Sequence, residues 1–209
     1  MRVKIFQRKS LLIAVPTVLF TVVSSAATIA DPVRSQCDQQ SISIEGQCQL
    51  TYKDISFEVR ASDNSSINRL WIQLKGLSLS NEIFEAELDG SAYRAEVADI
   101  DGNGWPEVYV FARSAGSGSY GSLVAYAVNN GRSATPIYLP PLDQNPEVLP
   151  GYMGHDRFSV EENRLLRRFP LYLNSDANAA PSGGTRALHY RLEPGESGWI
   201  LVIERVVDY

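Results

Sequence analysis

Apolar and polar residues alternate along most of the chain beyond residue 54. Ile55, Phe57, Val59 and Ala61 alternate with Ser56, Glu58 and Arg60. Leu70, Ile72 and Leu74 alternate with Arg69, Gln73 and Lys75, with Trp71 interrupting the polar side. Phe84, Ala86 and Leu88 alternate with Glu85 and Glu87, and Tyr93, Ala95 and Val97 with Arg94 and Glu96. A period of two turns one set of side chains to a core and the other to water, the habit of antiparallel strands. Residues 105–113 and 121–128 are more uniformly apolar and read as central strands. Residues 158–160, 165–173, 186–192 and 199–207 complete the set. Asp89-Gly90, Asn129-Asn130-Gly131 and Pro194-Gly195-Glu196 mark turns between them. Residues 136–150 and 174–184 read as loops, with one helical turn within 145–149. The pattern predicts an all-β fold, an antiparallel β-sandwich of about eight or more strands with one exposed Gly/Ser-rich loop.

The first thirty residues do not follow this pattern. Arg2, Lys4, Arg8 and Lys9 precede an apolar run over residues 11–23, and the small residues Ser24, Ser25, Ala26, Ala27 and Ala30 follow. That order reads as a cleaved secretory signal peptide over residues 1–30. The apolar run is shorter than the roughly 20 residues of a membrane span. The expectation is a soluble exported protein of the periplasm, with no membrane association after cleavage. Residues 31–54 read as an N-terminal segment, and residues 55–209 as one sandwich domain.

Losing the leader changes the charge. The chain has nineteen basic and twenty-four acidic residues, and the leader holds four of the basic ones and none of the acidic, so the remainder carries −9. Such a surface disfavours nucleic acid and suits a basic protein partner. Cys37 and Cys48 are the cysteines of the chain. In an oxidising compartment they should pair, closing a short loop over residues 38–47. Such a loop is worth about 2–3 kcal/mol in the chain-entropy picture.

Two loops carry candidate chemistry. Gly116-Ser117-Gly118-Ser119-Tyr120-Gly121 matches the spacing of a dinucleotide-binding loop. That chemistry needs a helix to follow, so that its N-terminus meets the pyrophosphate. A strand pattern follows instead, which excludes it. The same loop presents small residues, hydroxyls and one aromatic ring, a combination able to enter a narrow cleft and donate hydrogen bonds to carboxylates. The second loop, Asp99-Ile100-Asp101-Gly102-Asn103-Gly104-Trp105-Pro106-Glu107, resembles a calcium loop. Asp99, Asp101, Asn103, the Trp105 carbonyl and Glu107 would supply hard oxygen ligands. The position of the closing bidentate glutamate falls on Val110. An Asp/Asn/Gly-rich hairpin without metal fits the spacing equally well, so calcium is an open alternative to no cofactor at all.

Catalysis finds little support. No G-x-S-x-G elbow occurs. His155 and Asp156 are adjacent without a nucleophile to serve, and no carboxylate pair stands out as an acid/base couple. The cluster Arg164, Arg167 and Arg168 reads as a solvated strand face. The chain reads as a binding protein and not an enzyme.

A series of segments resembles one family, the periplasmic inhibitors of invertebrate-type lysozyme. They are Ser114-Ala115-Gly116-Ser117-Gly118-Ser119-Tyr120-Gly121, Ile137-Tyr138-Leu139-Pro140-Pro141-Leu142, Gly151-Tyr152-Met153-Gly154-His155-Asp156, Arg167-Arg168-Phe169-Pro170, Pro181-Ser182-Gly183-Gly184-Thr185-Arg186 and Tyr190-Arg191-Leu192. They run in family order over roughly half the chain. The resemblance implies a β-sandwich whose exposed S-G-x-Y loop, here Ser117-Gly118-Ser119-Tyr120, inserts into the active-site cleft of a lysozyme. It implies that Ser117 and Tyr120 are the key residues. Gly116, Gly118 and Gly121 would support the loop by close backbone approach and positive φ. Related inhibitor families with similar loops act on chicken-type and goose-type enzymes. The alternative is a calcium-stabilised envelope module that binds glycan or protein without inhibiting anything. The sequence leaves the oligomeric state open, a homodimer included.

Overall fold

The computed structural model describes residues 35–209. The leader read at residues 1–30 lies outside the described residues. Within them the chain forms β1 (Ser35–Asp38), a one-turn helix α1 (Gln39–Ile42), β2 (Cys48–Tyr52), β3 (Ile55–Ala61), β4 (Ile67–Lys75), β5 (Ile83–Asp89), β6 (Ser91–Ala98) and β7 (Glu107–Arg113). Then come β8 (Gly121–Asn129), β9 (Ser133–Tyr138), β10 (Arg157–Glu161), β11 (Arg164–Pro170), β12 (Thr185–Pro194) and β13 (Trp199–Asp208). The fold is all-β and sandwich-like, as the alternation predicts. The segment 142–148 holds two short 3-10 turns, Leu142–Gln144 and Pro146–Val148, where one helical turn was expected.

Strands β2-β3-β4-β5 make a four-stranded antiparallel sheet, and the others make a nine-stranded sheet in the order β1-β6-β7-β8-β9-β13-β12-β11-β10. Its pairings are antiparallel except one: Ile137 and Tyr138 of β9 run parallel to Trp199 and Ile200 of β13. The nine-stranded sheet curls until β10 returns beside β6. There the Val160 N–H donates to Glu96 Oε2 at 3.1 Å and the Phe158 N–H to the Tyr93 hydroxyl at 3.0 Å. Side chains of β6 thus satisfy backbone donors of β10 that lack a ladder partner on that side.

Two cores result, one on each face of the central strands. Leu50, Phe57, Val59, Leu70, Ile72, Leu74 and Leu88 pack against Ala95, Val97, Val108, Val110, Ala112, Tyr126 and Val128. The opposite side of β7 and β8, with Tyr109, Phe111, Ala125 and Ala127, packs against Phe158, Val160, Leu165, Phe169, Leu188, Tyr190 and Leu201. This is why β7 and the second half of β8 are apolar almost throughout: neither face of them meets water. The strands of the outer sheet keep a clean alternation, because only one of their faces is covered.

The segment 35–54 is part of both sheets. β1 pairs with β6 and β2 with β3, each at a sheet edge. Cys37 and Cys48 are joined, so the disulfide ties the edge of one sheet to the edge of the other.

Two expectations about exposed charge need correction. Glu96 was expected on a wet face opposite Tyr93, Ala95 and Val97. Glu96 does lie opposite Ala95 and Val97, but β10 covers that face, so Glu96 is buried, paired with Arg94 at 2.6 Å and accepting from the Val160 N–H. Arg167 was expected among solvated arginines. It lies on the inward side of β11 between Leu165 and Phe169 and is buried. Arg164 and Arg168 do face outward, paired with Glu204 and Glu161.

Candidate functional site

The Gly/Ser-rich segment joins β7 to β8, whose ladder ends at the pair Arg113 and Gly121. No helix follows it, so the dinucleotide reading has no structural basis here. The Ser114 N–H donates to the Tyr120 carbonyl at 2.9 Å, and the Tyr120 N–H donates to Ser114 Oγ at 2.9 Å, closing the neck of the loop. The Ser119 N–H donates to the Gly116 carbonyl at 2.9 Å, closing a turn at the tip. Two neighbouring segments brace it. The His155 N–H donates to the Gly118 carbonyl at 2.6 Å, and Asn178 Nδ2 donates to the Ser117 carbonyl at 3.3 Å.

Backbone is therefore held and side chains are left over. Ser117 is exposed and Tyr120 is 51% exposed. The Tyr120 ring meets the edge of Tyr152 at 5.9 Å between centroids, and Tyr152 meets Phe169 at 4.7 Å. A row of aromatic rings thus runs from the loop into the core.

The glycines act differently from the expectation. None of Gly116, Gly118 and Gly121 has a positive φ; the left-handed residue of the loop is Ser119, at φ 43. A side chain on Gly118 would strike the Tyr120 ring at 2.5 Å, and one on Gly121 would strike Asp156 Cβ at 2.6 Å. Around Gly116 there is open space, so no steric need fixes a glycine there. The demanding glycine is Gly154, which the motif did not single out for a role. Its φ is +91, and a Cβ would lie 2.1 Å from the Gly118 carbonyl oxygen. Glycine here lets the bracing segment reach the loop.

Beneath the loop lies a buried polar anchor. Asp156 Oδ2 accepts from the Gly121 N–H and the Tyr152 hydroxyl, each at 2.8 Å, and Asp156 Oδ1 accepts from Arg167 Nε at 2.6 Å. Arg167 Nη2 donates to the Tyr152 oxygen at 2.8 Å. The side chains of Arg167 and Asp156 are 7% and 0% exposed. Burial holds the Tyr152 phenol above its ordinary value, against the pull of the neighbouring guanidinium. It therefore stays a proton donor to Asp156. A buried pair of this kind is worth most as a positional lock, because losing either member strands a charge. Both Asp156 oxygens are thus engaged by the anchor, and the His155 ring stacks near Tyr172 at 6.2 Å between centroids. Sequence reasoning missed Arg167, Gly154 and Asn178. Only Arg167 left a usable signal, its place between two inward residues of an alternating strand.

The second loop sits at the other end of β7. Asp99, Asp101 and Glu107 each bring a carboxylate oxygen to within 4.8 Å of the others. Asn103, also named as a ligand, is engaged otherwise: its Oδ1 accepts from the Trp105 N–H at 2.7 Å and its Nδ2 donates to Asp101 Oδ2 at 2.7 Å. Asp99 Oδ2 accepts from the Tyr52 hydroxyl at 3.1 Å and the Gly104 N–H at 2.9 Å, tying the loop to β2. Glu107 Oε2 accepts from the Ile100 N–H at 2.8 Å. Burial, reinforced by the Asp101 and Asp99 charges and opposed by the Ile100 N–H, pushes the Glu107 carboxyl up to about 9. Burial and the Asp99 charge also push Asp101 upward, against its bond from the Asn103 N–H.

Compared with known proteins, the chain matches no family model, no curated protein and no solved structure.

Proposed function

We propose that this chain is an exported protein inhibitor of a lysozyme, of the invertebrate type in the first place, which inserts the 117–120 loop into the enzyme's active-site cleft. The observation that carries the reading is a loop whose backbone is hydrogen-bonded from both sides while Ser117 and Tyr120 remain outward. A lysozyme cleaves between two carboxyl groups, one protonated and one ionised. The Ser117 hydroxyl can donate to the ionised group or accept from the protonated one. Tyr120 brings a flat ring with few rotatable bonds and a hydroxyl at its end. The braces and the Asp156–Arg167 lock mean that little loop entropy remains to be lost on docking. The net charge of −9 outside the leader speeds encounter with a basic enzyme.

The test is muramidase activity titrated with purified protein, on invertebrate-, chicken- and goose-type enzymes in parallel. Inhibition of the invertebrate-type enzyme is expected, and failure to inhibit any of the three refutes the reading. The Ser117→Ala/Tyr120→Ala double variant should bind at least about 100-fold more weakly, as expected when the central anchors of an interface are truncated. Undiminished inhibition by that variant would show that another surface does the work. Binding to peptidoglycan without inhibition would favour an envelope module instead.

A further inference from the structure

We propose that Asp99, Asp101 and Glu107 form a calcium site that joins the β6–β7 loop to the start of the central strand β7. Two carboxylate oxygens in this cluster, Asp99 Oδ1 and Glu107 Oε1, are buried and have no hydrogen-bond donor. Glu107 as a residue is 0% exposed. A carboxylate oxygen kept from water without a partner is costly, and a wholly buried glutamate in this state is rare. Both orphaned oxygens belong to the residues that converge.

The spacing fits one ion. Calcium binds oxygen at about 2.4 Å, so two ligands of the same ion lie at most about 4.8 Å apart. The oxygens of the three residues lie within 4.8 Å of one another. Three carboxylates favour a hard divalent cation over sodium or a transition metal, since no sulfur or imidazole takes part. Calcium is favoured over magnesium because its larger and irregular shell tolerates mixed carboxylate, main-chain and water oxygens.

The surroundings already make a cradle. The other oxygens of Asp99 and Glu107 are held by the Tyr52 hydroxyl and by the Gly104 and Ile100 N–H groups. Asp101 is oriented by the Asn103 N–H at 3.0 Å. Lys53 Nζ caps the Gly104 carbonyl at 2.9 Å, so the rim of the loop is fastened to the outer sheet. An ion here would fix the turn between β6 and β7 and, through Tyr52, the contact between the two sheets. This inference is independent of the lysozyme reading, because the site and the 114–120 loop lie at opposite ends of β7.

Terbium luminescence is a local test. Tyr52 and Tyr109 contact Asp99 and Glu107, Tyr109 at 3.5 Å, so tyrosine excitation should sensitise bound terbium. Emission is expected from the metal-depleted protein, displaced by calcium at about millimolar concentration or below. Calcium should also raise the melting temperature by about 5 °C, and a chelator should reverse it. Magnesium at the same concentration should do neither. Asp101→Asn, on the more open side of the cluster, should abolish both signals without unfolding the protein. Glu107→Gln is the second variant and should abolish the calcium shift whatever its own melting temperature. Absence of sensitised emission, an equal response to magnesium, or a response that survives both substitutions would overturn the site.

Discussion

The two loops at the ends of β7 solve opposite problems with similar residue types. At the 114–120 end every buried charge has a partner: Asp156 accepts from Gly121, Tyr152 and Arg167, and only the hydroxyls of the tip remain outside. At the 99–107 end three carboxylates converge, and two of their oxygens have no donor. In the first arrangement no buried carboxylate oxygen lacks a donor, and chemistry is presented outward. The second is incomplete within the chain and points its chemistry inward. The difference teaches where to look for each kind of partner: a macromolecule at the satisfied loop with exposed side chains, an ion at the unsatisfied buried one.

The comparison can be broken hardest at Arg167. Arg167→Ala leaves Asp156 charged and buried without its cation, which should cost about 3–5 kcal/mol. For a domain of this size that is roughly a 10 °C fall in melting temperature, measurable by calorimetry. A fall near zero would mean that the anchor is not a lock. Next comes Gly154→Ala. Its positive φ and the 2.1 Å approach to the Gly118 carbonyl should together cost about 1–3 kcal/mol. Hydrogen exchange should then quicken at His155, whose N–H bonds that carbonyl. Unchanged protection there would separate Gly154 from the brace.

Smaller effects sharpen the contrast. Ser117→Ala/Tyr120→Ala should shift unfolding free energy by less than about 1 kcal/mol, since the tip serves a partner more than the fold. A large loss of stability in that variant would place Tyr120 in the core's service instead. The smallest effect concerns Asp176, which orders the segment carrying Asn178. The Leu173 N–H, with the Ser182 hydroxyl and N–H, lowers its pKa below the ordinary 3.8. A depressed carboxylate pKa stabilises the folded segment above the unfolded value and loses that contribution as pH falls through the folded one. The amide signals of Leu173 and Ser182 should therefore titrate together with a midpoint under 3.8. A midpoint at or above that value would show that the clamp does not hold.

Much of the strand pattern was legible because burial on one face imposes a period of two. Residues 55–61 alternate as one strand and form one. The uniformly apolar runs at 105–113 and 121–128 read as central strands, and β7 and the second half of β8 are covered on both faces. Residues 136–138, inside the Pro-rich stretch expected to be a loop, instead end β9, although Pro136 lacks an N–H to give a ladder. The structure places Pro136 where that loss matters least: pairing with β8 ends at Pro136 and pairing with β13 begins at Ile137. β1 is too short and polar to leave a signal.

Local sequence thus determined most of the segments that become strands, several of the turns between them, and which residues carry hydroxyls and carboxylates. Tertiary structure decided which of those groups meet. Alternation depends on near neighbours in the chain and survives in any all-β arrangement. The pairing of Asp156 with Arg167, the reach of Gly154 to Gly118, and the tie from Tyr52 to Asp99 depend on how two sheets curl and stack. No periodicity within one strand encodes the register between segments that far apart.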